Sequence, residues 1–165
     1  MSAKNSMREM QREVRENWPE CADTISFSLL KMTRIHELFK HEIECCIEQY
    51  QLQQADFSVL ATLRRNPKPY CLSPTALYRS MFFSSGGLTK ILGRLADAGL
   101  IERIDNPEDK RSKLVQLNHK GKQLVETIMP ELHKHSNSLL EVLSEDETLQ
   151  LESLLQKVLD HNERN

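Results

Sequence analysis

The residues best able to carry nucleophilic, redox or metal chemistry in this 165-residue chain are its four cysteines and six histidines. Cys21, Cys45, Cys46 and Cys71 form no Cys-x-x-Cys pair and show no zinc-ligand spacing. A chain of this length can bury a core without a disulfide framework, so reduced thiols are expected. A sensing thiolate needs positive charge or hydrogen-bond donors close by. Cys45 and Cys46 stand instead among Glu42, Glu44 and Glu48, which oppose a thiolate, and buried, inert thiols are the favoured reading. His133, His135 and His161 could ligate a metal, but a His-x-His pair on a helix points its rings about 200° apart. No nucleophile and base with an orienting third group is evident, and no phosphate-cradling loop. An enzyme, a cofactor and a metal are therefore not expected.

The remaining chemistry is that of cations. The formal net charge is -2, yet residues 64–122 hold twelve Lys and Arg against five Asp and Glu, a local net of +7. The rest of the chain holds ten basic against nineteen acidic residues, a net of -9. Near-neutrality thus hides two parts of opposite sign, only one of which suits a polyphosphate.

The elements that must position these cations follow from periodicity. From Ile25, the positions Leu29, Met32, His36, Phe39, Ile43, Cys46 and Tyr50 step by four and three, one stripe on a long helix with Asp23 or Thr24 as N-cap. At about 1.5 Å per residue such a helix is ~40 Å long, more than one small domain needs, and a stripe of this length often meets a second subunit. A second helix is expected over Gln54 to Arg65, with Phe57, Leu60 and Leu63 inward, until Asn66-Pro67-Lys68-Pro69 stops it. Ser73-Pro74 opens a short helix through Ala76, Leu77 and Met81. Ser84-Ser85 starts the next, with Leu88, Ile91, Leu92 and Leu95 inward and Gly99 closing it. Leu100 to Asp105 and Ser112 to Leu117 read as a hairpin whose tip is Asn106 to Arg111. Two further helices follow. Leu124, Ile128, Leu132, Leu139 and Val142 mark the first, with a kink or break at Pro130, and Leu151, Leu154, Leu155, Val158 and Leu159 mark the second. Ser144 to Glu147 is a capping box between them.

The order helix, short helix, turn, helix, β-hairpin is that of a winged helix-turn-helix, which sets one helix in the major groove of DNA and the hairpin at the neighbouring minor groove. The fold class expected is mainly α with a small β-hairpin wing. The runs Leu72-Ser73-Pro74-Thr75-Ala76-Leu77, Ser84-Ser85-Gly86-Gly87-Leu88-Thr89, Arg94-Leu95-x-x-x-Gly99-Leu100-Ile101-Glu102-Arg103 and Asp109-Lys110-Arg111-Ser112 resemble the MarR (multiple antibiotic resistance regulator) family over roughly residues 24–160. Ser112 stands where that family usually has glycine, and Asn118 where it usually has threonine. The resemblance implies a homodimeric, ligand- or stress-responsive transcription regulator, by default a repressor of neighbouring genes. It also implies one domain over 1–165, with dimerisation helices over 24–50 and 119–163 around a winged helix-turn-helix over 53–118.

Ser73, Thr75, Ser84, Ser85, Gly86, Thr89, Lys90, Arg94, Lys110, Arg111 and Lys113 are the candidate DNA-binding residues. Ser84, Ser85, Thr89 and Lys90 lie opposite Leu88, Leu92 and Leu95, leaving hydroxyls and an ammonium for phosphates and base edges. Gly86 and Gly87 allow close backbone approach; taken alone, the serines read equally as caps and the glycines as packing devices, a reading that loses once the wing is joined to them. Arg111 can enter a narrow minor groove, while Lys110 and Lys113 neutralise phosphates. Asp109 is expected to hold Arg111, and Arg94 to pair with a wing carboxylate or touch DNA.

Many members of the family take small phenolic or other aromatic acids in a crevice between the dimerisation helices and the DNA-binding lobe, and the bound acid loosens the grip on DNA. Trp18, Phe27 and His36, with Tyr50, are the side chains available for such a ligand, though lone aromatics on an apolar helix face more often belong to a core. The urate-responsive branch shares a tryptophan like Trp18 but has arginine where Ile91 stands, which disfavours urate. The peroxide-sensing branch places its cysteine where Leu29 or Leu30 stands. No stretch approaches a membrane span and the start is no signal sequence, so the expected location is the cytoplasm, with no membrane partner. A winged-helix module for protein or RNA contacts, without sequence-specific duplex binding, is the alternative.

Overall fold

A computed structural model describes residues 6–81, 87–109 and 111–163. Two compact units divide the chain, one ending at Glu42 and the other beginning at Ile43.

In the first unit, α1 (Met7–Asn17) and α2 (Pro19–Ala22) precede the long helix α3 (Phe27–Glu48), which continues into the second unit. A capping box starts α1: the Ser6 hydroxyl accepts from the Glu9 amide at 3.2 Å, and the Ser6 amide donates to Glu9 Oε2 at 2.9 Å. Sequence periodicity placed the start of the long helix near Asp23 or Thr24, but both belong to the turn after α2. The Thr24 hydroxyl is turned back on the carbonyls of Glu20 and Cys21, and Ser26 takes the capping role by accepting from the Leu29 amide. The apolar stripe of α3 is divided by burial. Ile43, Cys46 and Ile47 are buried, whereas Leu29, Met32 and Ile35 are exposed.

The second unit adds α4 (Gln54–Arg65), β1 (Cys71–Leu72), α5 (Pro74–Ser80), α6 (Leu88–Asp97), β2 (Ile101–Asp105), β3 (Lys113–Leu117), α7 (His119–Asn137), a 3-10 turn (Ser138–Leu140) and α8 (Glu145–Asn162). Its core is made by Val59, Leu60 and Leu63 of α4, Leu77 of α5, Leu95 of α6, Val115 of β3 and Val125 and Ile128 of α7, all at 1% exposure or less. Each such side chain stabilises the fold by about 1.5–3 kcal/mol relative to water. The hairpin is antiparallel, pairing Ile101 with Leu117, Arg103 with Val115 and Asp105 with Lys113. The two-residue strand β1 extends it to a three-stranded sheet in the order β1-β3-β2. No period can announce so short a strand, and pairing with Val115 and Gln116 is what makes it one.

Helix α6 closes at Gly99, whose φ of 67° suits the residue. The amides of Gly99 and Leu100 donate to the carbonyls of Ala96 and Leu95, the pairing that ends a helix on a left-handed residue. Pro130 breaks nothing: α7 runs through it from His119 to Asn137. Leu139 and Val142 fall beyond that helix, in and after the 3-10 turn, and Val142 is exposed. Ser144 and Glu147 form the expected capping box of α8, a helix with no buried residue.

Candidate nucleic-acid interface

Three elements carry the candidate residues: the start of α5, the start of α6, and the wing of β2 and β3. Ser73 caps α5 by accepting from the Ala76 amide at 3.1 Å and is half-buried, while Thr75 is exposed two residues along. Helix α6 begins at Leu88, later than Ser84-Ser85 suggested, with Gly87 as its cap at φ 92°. A side chain at that angle would be strained, which is why glycine stands there. Ile91, Leu92 and Leu95 are buried, Leu88 is half-buried, and Thr89 and Lys90 are exposed on the other face. Ser84, Ser85 and Gly86 lie outside the described residues, as does Lys110.

The wing tip is held by its own polar side chains. Asp109 Oδ1 accepts from the backbone amide of Arg111 at 3.0 Å, so it orders the tip backbone rather than the guanidinium. Ser112 donates its hydroxyl to the Asp109 carbonyl at 3.1 Å and accepts from Asn106 Nδ2 at 3.0 Å. Asn118 caps α7 through the Gly121 amide at 2.9 Å and donates to the Gly99 carbonyl at 2.8 Å. Both departures from the family pattern therefore supply hydrogen bonds that fix the wing's two ends.

Charge is distributed unevenly over the basic segment. Arg64 binds Glu126 at 2.6 Å and stacks on Tyr70 with 5.0 Å to the ring centre, and Lys122 joins the same carboxylate at 3.1 Å. These hydrogen bonds, first Arg64 and then Lys122, hold the Glu126 carboxyl below its ordinary pKa. Lys113 meets Asp105 across the hairpin at 2.5 Å, with both side chains largely exposed, a pairing that a phosphate can replace at little cost. Arg94 pairs with α4 and not with a wing carboxylate, one of the two roles expected of it. Its Nη2 donates to Asp56 Oδ1 at 2.7 Å and to Gln53 Oε1 at 3.0 Å, both at the start of α4. Among the described residues, no carboxylate lies within ion-pair distance of Arg79, Lys90, Arg103 or Arg111, all exposed. Sequence reasoning missed Arg79 and Arg103, one on α5 and one on β2. Their place within the basic stretch over 64–122 was the available signal. Arg103 and Lys113 border, with Pro74, Leu88 and Thr89, a cleft of about 150 Å³ between α6 and the wing.

Of the candidate ligand residues, Trp18, Phe27 and His36 belong to the first unit and Tyr50 to the second. Trp18 is 63% exposed between α1 and α2, Phe27 lies under the Arg15 guanidinium at 5.3 Å, and His36 is exposed on α3. Tyr50 donates its hydroxyl to Glu131 Oε2 at 2.8 Å, tying the residues after α3 to α7. An apolar cavity of about 240 Å³ lies instead within the second unit, lined by Ile43, Phe57, Ala61 and Met129 with Gln54, Ser58, Thr62 and Arg65. Cys46 is buried, and that burial, followed by the charge of Glu131, pushes its thiol pKa up and keeps the less reactive protonated form. Among the described residues, no group of three His, Cys, Asp or Glu side chains converges for a metal ion, and no helix is long and apolar enough to cross a membrane.

A three-stranded winged sheet packed against a helix-turn-helix, with uncompensated cations on three adjoining elements, defines a winged-helix DNA-binding protein. The MarR family model matches residues 50–112. The chain is 31% identical over 130 residues to the transcriptional regulator PecS of Dickeya dadantii, covering 79% of this chain and 78% of that protein. It is 37% identical over 109 residues to the multiple antibiotic resistance protein MarR of Escherichia coli K12, covering 64% and 72%. A mutant of E. coli MarR complexed with operator DNA superposes with a TM-score of 0.70 at 28% identity, over 84% of this chain and 97% of that one. The chain belongs to the MarR family and is a DNA-binding transcription regulator.

Proposed function

We propose that the chain acts as a homodimeric repressor of neighbouring genes, working in the cytoplasm on a pseudo-palindromic operator whose half-sites lie about 10 bp apart. In each half-site α6 occupies the major groove, where Thr89 and Lys90, together with Ser84, Ser85 and Gly86, face bases and phosphates. Thr75 and Arg79 of α5 meet the backbone, with Ser73 holding that helix in place, and Arg103, Lys110 and Lys113 neutralise phosphates beside the wing. Arg111 enters the minor groove. The observation that carries this reading is the set Arg79, Lys90, Arg103 and Arg111, exposed and without carboxylate partners in a chain that is acidic elsewhere. A cation not matched internally gains most from displacing the counterions of DNA.

The dimer is assigned to the helices over 24–50 and 119–163, because Leu29, Met32 and Ile35 of α3 and Leu154, Val158 and Leu159 of α8 present large apolar surface to water in the single chain. The cavity between Phe57 and Met129 suits a small aromatic acid, its ring among apolar walls and its carboxylate toward Arg65. Such an effector loosens DNA by favouring one of two lobe settings.

Fluorescence anisotropy with the DNA upstream of the coding region, at two salt concentrations and against scrambled DNA, tests the proposal. Selective, salt-sensitive binding is expected, and Arg111→Ala should weaken it while lowering the log–log salt slope by about 0.9. Equal, weak binding to both DNAs would replace it with a protein or RNA interaction module.

A further inference from the structure

We propose that Arg94 is a positioning residue for DNA binding, one that orients the recognition helix through Asp56 of α4 and does not itself contact DNA. The Asp56 carboxylate is nearly buried and both its oxygens are engaged. Oδ2 accepts from the Gln53 amide at 3.0 Å at the start of α4, and Oδ1 accepts from Arg94 Nη2 at 2.7 Å. The same Nη2 donates to Gln53 Oε1 at 3.0 Å, so the guanidinium is directed at α4. Asp56 is only 4% exposed, so drawing Arg94 away from it toward a DNA phosphate would leave a nearly buried charge unpaired.

Position along α6 leads to the same conclusion. Recognition helices read base edges with their N-terminal residues. Thr89 and Lys90 stand in the first turn, whereas Arg94 stands in the last, beside the closure at Gly99. Ile91, Leu92 and Leu95 press α6 onto the core, but apolar burial is non-directional and fixes depth better than orientation. A charge-assisted hydrogen bond is directional, and Arg94–Asp56 is the ion pair linking α6 to α4 among the described residues. It therefore sets how the start of α6, some way off along the helix, meets the groove.

The inference rests on the DNA-binding role of α6, and the wild-type chain is the control: if it fails to bind duplex DNA, that role fails first. Affinity for the upstream DNA is measured against salt for Arg94→Gln, Asp56→Asn and the double variant, with thermal melting of each. Each single variant is expected to bind about tenfold more weakly, within the usual range of coupling between separated sites, at an unchanged salt slope. Asp56→Asn decides most, since removing a negative charge would by simple electrostatics tighten DNA binding. The double variant should lose less than the two single losses combined. Unchanged or tighter binding by Asp56→Asn, with the slope of Arg94→Gln reduced by about 0.9, would make Arg94 a phosphate contact and overturn the inference. If Asp56→Asn does not fold, the affinity and salt slope of Arg94→Gln decide alone. Weaker binding at unchanged slope then supports the inference, and unchanged binding overturns it.

Discussion

Glu126 illustrates how a single exposed side chain ties elements together without entering the site. It receives Arg64 of α4 and Lys122 of its own helix, and these bonds lower its carboxyl pKa in the folded chain. A depressed folded-state value means that the contribution to stability is present above the ordinary carboxylate pKa and is lost as pH falls through the folded one. Glu126→Gln should therefore lower the melting temperature at pH 7, and the gap from the parent chain should close as the pH is brought below 4.5, the ordinary value of the group. A gap that stays constant with pH would mean that packing, not charge, is what the substitution disturbs. Asp109 and Ser112 work at the same scale, since the wing tip holds its shape by hydrogen bonds among Asn106, Asp109, Arg111 and Ser112.

Among the elements, the joint between the wing and α7 is the most tightly specified. A Cβ on Gly121 would lie 2.1 Å from the Leu100 carbonyl oxygen and 2.8 Å from Leu117 Cδ1, so the helix can approach the sheet only where no side chain intervenes. Replacing glycine by alanine inside a helix ordinarily stabilises by about 1 kcal/mol. Overpacking against a backbone carbonyl costs roughly 1–3 kcal/mol and outweighs it. Gly121→Ala is accordingly expected to destabilise, by up to about 2 kcal/mol in chemical denaturation. A more stable variant would show that α7 can shift away from the sheet. Helix α7 also tolerates Pro130 in its interior, with Ile128 and Leu132 buried on either side, so tertiary packing overrides the local cost of a missing amide.

Over the whole molecule, the apolar surface left on α3 and α8 is what calls for a second copy. Leu154, Val158 and Leu159 are 64%, 49% and 47% exposed on a helix that starts with its own capping box and has no buried residue. Helices of this kind gain their stability from packing rather than propensity. Leu154→Asp with Val158→Asp should shift the chain toward monomer in sedimentation and weaken binding to a two-half-site operator by roughly 10²–10⁴-fold, the gain normally supplied by joining two binding modules. A dimer that survives both substitutions would place the interface elsewhere.

Local signals settled much of this protein. The caps at Ser73 and Ser144, the proline stop after Arg65, the left-handed glycine at Gly99 and the charged hairpin are each readable because they depend on neighbours a few residues apart. So is the basic stretch around the helix-turn-helix, since charge sums along the chain. Partners distant in sequence were not readable. The two-residue strand β1 exists only through β3, Arg94 lies 38 residues from Asp56, and Lys113 is engaged by Asp105 across the hairpin. The long stripe of α3 looked uniform, yet its later half is buried and its earlier half is not. Periodicity reports which face of a helix is apolar, whereas what covers that face, and which cations remain free for DNA, depends on contacts that form only when the chain is folded.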